Sequence, residues 1–208
     1  MVQLIQAKDV TLNQLIERFN LQRIEDGAFF PEWQNSLPTL SDLEKQSLEQ
    51  VKEEYLHISR YPLLEPVVKM VVLSPLLHLA GFYRPPFYIA SEQEVEISSL
   101  DEGTIVRGRI DILVFQPTFW VLVIEAKRAD YSLTPAIPQA LAYMLGQTER
   151  EKPAFGFVTN GGEFRFIKLI QAQTPRYALS DLFALDSRDD LHIVLRVLKN
   201  LAELVRLS

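Results

Sequence analysis

Helical spacing of apolar residues recurs along the chain. Thr11 and Ser41 are each followed three residues later by Gln or Glu, the spacing of a capping box that opens a helix. Pro62 suits the first helical position of a long apolar run, whereas Pro75 should kink or break that helix. The pattern predicts five helices, near residues 11–19, 41–58, 62–80, 134–145 and 187–206.

From residue 87 the helical period gives way to runs rich in β-branched and aromatic residues. Three runs separated by short polar breaks predict a meander, and two more flank Asn-Gly-Gly, which is typical of a tight hairpin. These predicted strands are residues 87–97, 104–115, 119–127, 154–159 and 163–170. Their order predicts an α/β (α+β) fold, with a mixed sheet flanked by helices and extra helices at both ends.

The composition is that of a globular protein. The 208 residues, 48% of them hydrophobic, can build one sizeable core. We expect residues 1–60 to form a helical extension packed on a core domain of residues 61–208. Cysteine is absent, which excludes a disulfide framework and a thiolate zinc site and fits a reducing compartment, so the cytoplasm is the expected location.

Charge and hydropathy limit which partners, nucleic acid or membrane, the protein is expected to bind. The net charge of -6 predicts no overall attraction to nucleic acid or an anionic membrane, so nucleic-acid binding would need a local basic patch. The N-terminus lacks the basic-then-apolar pattern of an export signal. The apolar run 62–80 contains charges and prolines, which favours a core helix over a membrane span.

The stretch VLVIEAKRAD, residues 121–130, places charges at the end of a buried strand. Glu125 and Lys127 share one face because side chains alternate along a strand. The preceding predicted strand contains one acid, Asp111, and a turn around residues 117–119 places it opposite Glu125. A turn one residue shorter would remove this opposition.

Opposed carboxylates destabilise a sheet unless their charge is neutralised, and Lys127 offsets only one of the two. A divalent cation resolves the remainder, because Mg2+ prefers oxygen ligands and often takes one or two carboxylates plus water and substrate phosphate. The alternative is a solvated strand end at which Glu125 and Lys127 pair for little energy. The apolar flanks and the acid on the preceding strand favour a site.

Asp111, the triplet Glu125-Ala126-Lys127 and the order of elements resemble the PD-(D/E)xK nuclease superfamily over residues 62–170. Gln139 and Tyr143 match the Q-x-x-x-Y motif of the N-terminal nuclease domain of type I restriction enzyme R subunits. The alternative for Gln139 and Tyr143 is that they share an ordinary helix face beside the sheet, because residues four apart lie on the same side of a helix.

The resemblance implies roles for individual residues. Asp111, Glu125 and the Ala126 carbonyl would hold Mg2+, for which Mn2+ can substitute, and Lys127 would position or activate the attacking water. Gln139 and Tyr143 would orient the lysine or the nucleic-acid backbone. Glu65 is either the additional metal-binding acid of many relatives or a plain ion-pair partner of Lys69. The three basic residues Arg107, Arg109 and Arg128 are either phosphate contacts or solvated surface charges.

The chain departs from the R subunits in having no G-x-x-x-x-G-K-[ST] loop and no room for a helicase motor, so neither ATP nor translocation is expected. Ile110, rather than proline, precedes Asp111. The leading hypothesis is a Mg2+-dependent endonuclease acting on DNA. The alternatives are an inactive nuclease-fold domain that binds nucleic acid or a partner protein, and a homodimer formed through the outer helices, although the last helix is better explained by packing on its own sheet.

Overall fold

The computed structural model describes residues 3–99, 103–116, 119–147 and 149–206. The strands are β1 (Gln3–Gln6), β2 (Gln22–Arg23), β3 (Tyr88–Ser98), β4 (Thr104–Gln116), β5 (Phe119–Ala126), β6 (Ala154–Thr159), β7 (Glu163–Ile170), β8 (Arg176–Leu179) and β9 (Phe183–Ala184). The α-helices are α1 (Leu12–Phe19), α2 (Asp42–Ile58), α3 (Glu65–Val68), α4 (Ser74–Ala80), α5 (Ala136–Leu145) and α6 (Asp190–Arg206).

Within the described residues all nine strands belong to one mixed sheet, ordered β1-β4-β5-β6-β7-β8-β2, with β3 also on β4 and β9 on β7. Strands β3, β4 and β5 form the predicted antiparallel meander, and β6 with β7 forms the predicted hairpin. Strand β6 runs parallel to β5, because the chain crosses between them through α5. The predicted mixed α/β fold is confirmed.

The predicted capping boxes are both present. The Thr11 side chain accepts a hydrogen bond from the Gln14 backbone at the start of α1, and Ser41 accepts one from Glu44 at the start of α2. In each case the N3 side chain bonds back to the cap, which satisfies donors that a helix start leaves unpaired.

The third predicted helix begins later than expected, at Glu65 instead of Pro62. The preceding segment is held by tertiary contacts, because Leu63 is buried and its carbonyl accepts the N–H of Ala129. A π-helical segment, Lys69–Leu73, joins α3 to α4. Pro75 therefore lies in the first turn of α4 and does not end the helical run.

Four short strands were not predicted: β1, β2, β8 and β9. Strand β1 lies parallel to the first residues of β4, and β2 lies parallel to β8. Segments this short carry no periodicity of their own, so their pairing depends on the rest of the fold. The first sixty residues are thus not purely helical, while the proposed domain division at residue 60 stays a prediction.

Two hydrophobic cores cover the two faces of the sheet. One contains the buried sides of α2, α4 and α6, and the other those of α1 and α5. The predicted apolar stripe of α6, from Leu191 to Val205, lies in the first core, where α6 packs mainly on α4 and also contacts the edge strand β9. The stripe is therefore covered within the chain and gives no support to self-association. No helix among the described residues has the length and apolar character to span a bilayer.

Candidate active site

Asp111 lies where β4 separates from β5. The predicted turn around residues 117–119 is wrong at Phe119, which lies in β5 opposite Gln116. A bulge between Val114 and Phe115 shifts the pairing by one residue, so Ile112↔Ile124 and Leu113↔Val123 still have the predicted register. Asp111 is one residue past the last pair, and its Oδ2 accepts the backbone N–H of Ala126 at 2.8 Å. This bond holds the carboxylate beside Glu125, although Asp111 is on the neighbouring strand.

Glu125 and Lys127 form the second part of the site, on the side of the sheet that carries α5. Lys127 Nζ donates to Glu125 Oε1 at 2.6 Å and to Gln139 Oε1 at 2.8 Å. Gln139 Nε2 in turn donates to the Tyr143 hydroxyl at 3.0 Å. The E-x-K triplet and the Q-x-x-x-Y pair, which are separated in sequence, are therefore one hydrogen-bonded chain.

The backbone and a glycine fix this arrangement. The Lys127 N–H donates to the Thr159 carbonyl at 2.8 Å, so the end of β5 stays attached to β6. A Cβ on Gly108 would stand 2.7 Å from the Tyr143 hydroxyl and 2.6 Å from the Ala7 Cβ, which is closer than such atoms approach. Gly108 thus leaves the space in which Tyr143 reaches Gln139.

Lys69 was not predicted as a site residue. Its ammonium lies 2.7 Å from Asp111 Oδ1 and 2.8 Å from Glu65 Oε1. Glu65 therefore pairs with Lys69, as one of the two alternatives stated, and is also joined to Asp111 through that lysine. The cue was the four-residue spacing of Glu65 and Lys69 in an otherwise apolar helical run, which indicates a pair but not its second partner.

Burial perturbs the ionisable groups. Desolvation, and then the Asp111 charge, raise the pKa of Glu125 to about 8 against the opposing effect of Lys127. Desolvation also raises the pKa of Tyr143 to about 12, so the phenol keeps its proton. Burial alone would lower the pKa of Lys69, but its bonds to Asp111 and Glu65 outweigh that effect and raise it. Strongly perturbed carboxyls of this kind concentrate at functional sites.

The donor set fits a small divalent cation that completes its shell with water and substrate. Glu125 Oε2 is buried and has no hydrogen-bond partner, an arrangement that a cation would satisfy. Among the described residues no three Asp, Glu or His side chains group as a metal site. Mg2+ does not need three, because it is commonly held by one or two carboxylates together with water and phosphate oxygens.

The three arginines predicted as phosphate contacts are ion-paired at the surface. Arg107 pairs with Glu96 and Arg109 with Glu94 across β3 and β4. Arg128 pairs with Asp130, and its guanidinium lies 5.3 Å from the centre of the Tyr131 ring. Arg128 directly follows Lys127 in sequence, whereas the other two are held by acids on the neighbouring strand.

The chain was compared with known proteins. Residues 12–174, most of the chain, match a family model described as type I restriction enzyme R protein N terminus. The match begins well before residue 62, where the resemblance seen in the motifs began, and includes α1 and α2. No curated protein sequence matches the chain significantly.

Proposed function

The chain belongs to the family of type I restriction enzyme R protein N-terminal domains, within the PD-(D/E)xK class, and we propose that it is a Mg2+-dependent endonuclease that hydrolyses DNA phosphodiester bonds. The observation that carries the proposal is the convergence of Asp111, Glu125 and Lys127, with Gln139 bonded to the lysine. Glu125 Oε2 is buried without a hydrogen-bond partner, as Glu32 Oε2 also is, but Glu125 lies beside a second carboxylate, that of Asp111, whose charge raises its pKa further.

Asp111, Glu125 and the Ala126 carbonyl would hold the Mg2+, which when bound polarises a phosphoryl oxygen and lowers the pKa of water. Lys127 places a positive charge beside Glu125, where it can orient the attacking water and stabilise the charge that develops on the phosphate. Gln139 uses its carbonyl to fix the Lys127 ammonium, and Tyr143 fixes Gln139. Burial of these groups keeps the lysine in one position before substrate arrives.

DNA would approach this centre against a net charge of -6, so local cations must contribute the attraction. Arg128 is the best placed of the three arginines, because it adjoins Lys127 and lies against Tyr131. All three arginines would have to exchange an acidic partner for phosphate, Arg128 its Asp130 and the other two their glutamates on β3. We therefore assign Arg128 the larger share of backbone binding.

The test is cleavage of supercoiled, linear duplex and single-stranded DNA with Mg2+ or Mn2+, and with chelator. We expect metal-dependent cleavage that Lys127→Ala lowers by on the order of 10²-fold or more, the usual cost of losing one transition-state donor. Lys168→Ala is the matched control, since Lys168 is also a partly buried lysine paired with an acid, Glu32, outside the site. No cleavage under any condition, or equal cleavage by the Lys127 variant, would overturn the proposal.

One observation favours a second candidate, a nuclease-fold domain that binds nucleic acid or a protein without cleaving. Both Asp111 oxygens already have partners, Lys69 and the Ala126 N–H, so this carboxylate is satisfied without a metal. Calorimetry separates the two functions. Tight DNA binding by a protein that binds neither Mg2+ nor Mn2+ would support the second.

A further inference from the structure

We propose that the Lys69 ammonium competes with the divalent cation for Asp111, so that metal binding requires Lys69 to leave this carboxylate. The inference rests on the proposed function, because it concerns the same metal site. It goes beyond that function by assigning a regulatory role to a residue outside the D, E-x-K and Q-x-x-x-Y positions. The site thus changes between a lysine-closed and a metal-bound form.

The contacts around Asp111 carry the argument. Oδ2 is held by the Ala126 N–H, a bond within the strand framework, whereas Oδ1 is the atom that Lys69 occupies at 2.7 Å. Oδ1 is therefore the oxygen that can be released to a metal without disturbing the sheet. A cation bound there would stand within a few ångströms of the ammonium, and like charges at such a distance repel strongly in a partly buried site.

The charges of the described site favour a metal ion that replaces the Lys69 ammonium over one that binds in addition to it. Three carboxylates, of Glu65, Asp111 and Glu125, face two ammonium groups, of Lys69 and Lys127. Lys127 is bound to Gln139 as well as to Glu125 and so is fixed by α5. Within the described part of the chain, the hydrogen bonds and ion pairs of the Lys69 ammonium go to the carboxylates of Asp111 and Glu65, which makes it the lysine that a doubly charged ion can replace.

The Lys69 side chain can also leave Asp111 without losing all of its contacts. Its side chain is 21% exposed and that of Glu65 is 32% exposed, compared with 12% for Asp111, so solvent reaches both members of the Lys69–Glu65 pair more than it reaches Asp111. Lys69 opens the π-helical segment, a form of helix that is frequent at functional sites. Rotation of the side chain toward Glu65 would free Oδ1 while one of the two ion pairs is kept.

A calorimetric titration with Mn2+ alone measures metal binding and so tests the competition without any need for nuclease activity. If the lysine-closed form makes up about nine-tenths or more of the metal-free protein, removing the ammonium should tighten the apparent dissociation constant by roughly ten-fold or more. The variant is Lys69→Met, which keeps an unbranched side chain and removes the ammonium. Lys168→Met is the control, in which a lysine paired with Glu32 is lost far from the metal, and its Mn2+ affinity should equal that of wild type.

A second measurement needs no substitution at Lys69. Acetic anhydride labelling of the wild-type protein, read by mass spectrometry, should increase at Lys69 when Mn2+ is added and stay constant at Lys168. In Glu125→Gln, which lacks one carboxylate ligand, the increase should require a higher Mn2+ concentration. If Lys69→Met fails to fold, this labelling decides the question alone.

The outcomes separate this inference from the proposed function. Unchanged or weaker Mn2+ binding by folded Lys69→Met, or labelling of Lys69 that ignores Mn2+, overturns the competition even if the protein cleaves DNA. Tighter binding by Lys69→Met, in a protein that never cleaves DNA, supports the competition and overturns the nuclease. Failure of wild type and Lys69→Met to bind Mn2+ overturns both.

Discussion

Glu125→Gln should remove a pH dependence from the stability of the metal-free protein. Glu125 is 2% exposed, and burial with the Asp111 charge raises its pKa to about 8 from an ordinary value of 4.5. Between these two values the unfolded chain has released the proton while the folded protein still binds it. The folded state therefore loses stability as the pH rises through this window, and the loss is complete above the folded-state pKa.

The magnitude follows from the two pKa values. Each pH unit within the window costs about 1.4 kcal/mol, so the total between pH 4.5 and 8 is on the order of 4 to 5 kcal/mol. Solvent screening reduces this little, because the side chain is only 3% exposed. Glutamine has a similar shape and cannot ionise, so the variant should gain stability relative to wild type as the pH rises.

The assay is urea unfolding of both proteins in chelator at pH 5, 6, 7 and 8. The difference between the two free energies of unfolding removes every titration that the proteins share, including those of the three histidines. That difference should change by several kcal/mol in favour of Glu125→Gln, most of it between pH 5 and 8. Parallel curves would show that Glu125 is ionised in the folded protein throughout, and would refute the reasoning from burial.

Three other predictions concern the same network. Gly108→Ala should lower the free energy of unfolding by about 1–3 kcal/mol, because its Cβ would overlap Ala7 and the Tyr143 hydroxyl; chemical denaturation measures this, and an unchanged midpoint would contradict it. Gln139→Leu should reduce the cleavage rate by roughly 10- to 100-fold with little change in Mn2+ affinity, because Lys127 loses a fixed acceptor. Mn2+ binding should release about one proton near pH 7, since Glu125 must ionise to bind a cation, and calorimetry in buffers of different ionisation enthalpy would detect none if this is wrong.

The sequence predicted the meander, the hairpin and both N-terminal capping boxes because each has a local signal. Alternation, turn residues and a hydroxyl three positions before Glu or Gln are all readable within a short window. The short strands β1 and β2 have no such signal, and the delayed start of α3 at Glu65 reflects the anchoring of Leu63 by Ala129. These features depend on contacts between distant parts of the chain.

The same distinction applies to the candidate site. The register that brings Asp111 toward Glu125 was predicted from a turn that included Phe119, but Phe119 lies in β5 opposite Gln116, so the first pairs of the hairpin are one residue out of the predicted register. The bulge at Val114 and Phe115 restores the predicted register at Ile112↔Ile124, and no local sequence signal had predicted that bulge. The link from Lys69 to Asp111 joins residues 42 positions apart on a helix and a strand. No spacing rule connects such residues, so the sequence pairs Lys69 only with its near neighbour Glu65.

Lys69 changes the physical argument for a metal. Two opposed carboxylates and a single lysine leave one negative charge without a partner, but Lys69 places a second ammonium against Asp111 and shares it with Glu65. The need for a cation therefore comes from Glu125, whose Oε2 is buried without a partner and whose proton is the alternative to a metal. The two carboxylates are held from opposite layers, Asp111 through Lys69 on the helical run that begins with α3 and Glu125 through Lys127 on the side of α5. A metal that binds both carboxylates must replace the Lys69 ammonium at Asp111 and the proton at Glu125. Its affinity therefore depends on how both α5 and the helical run that begins with α3 pack against the sheet.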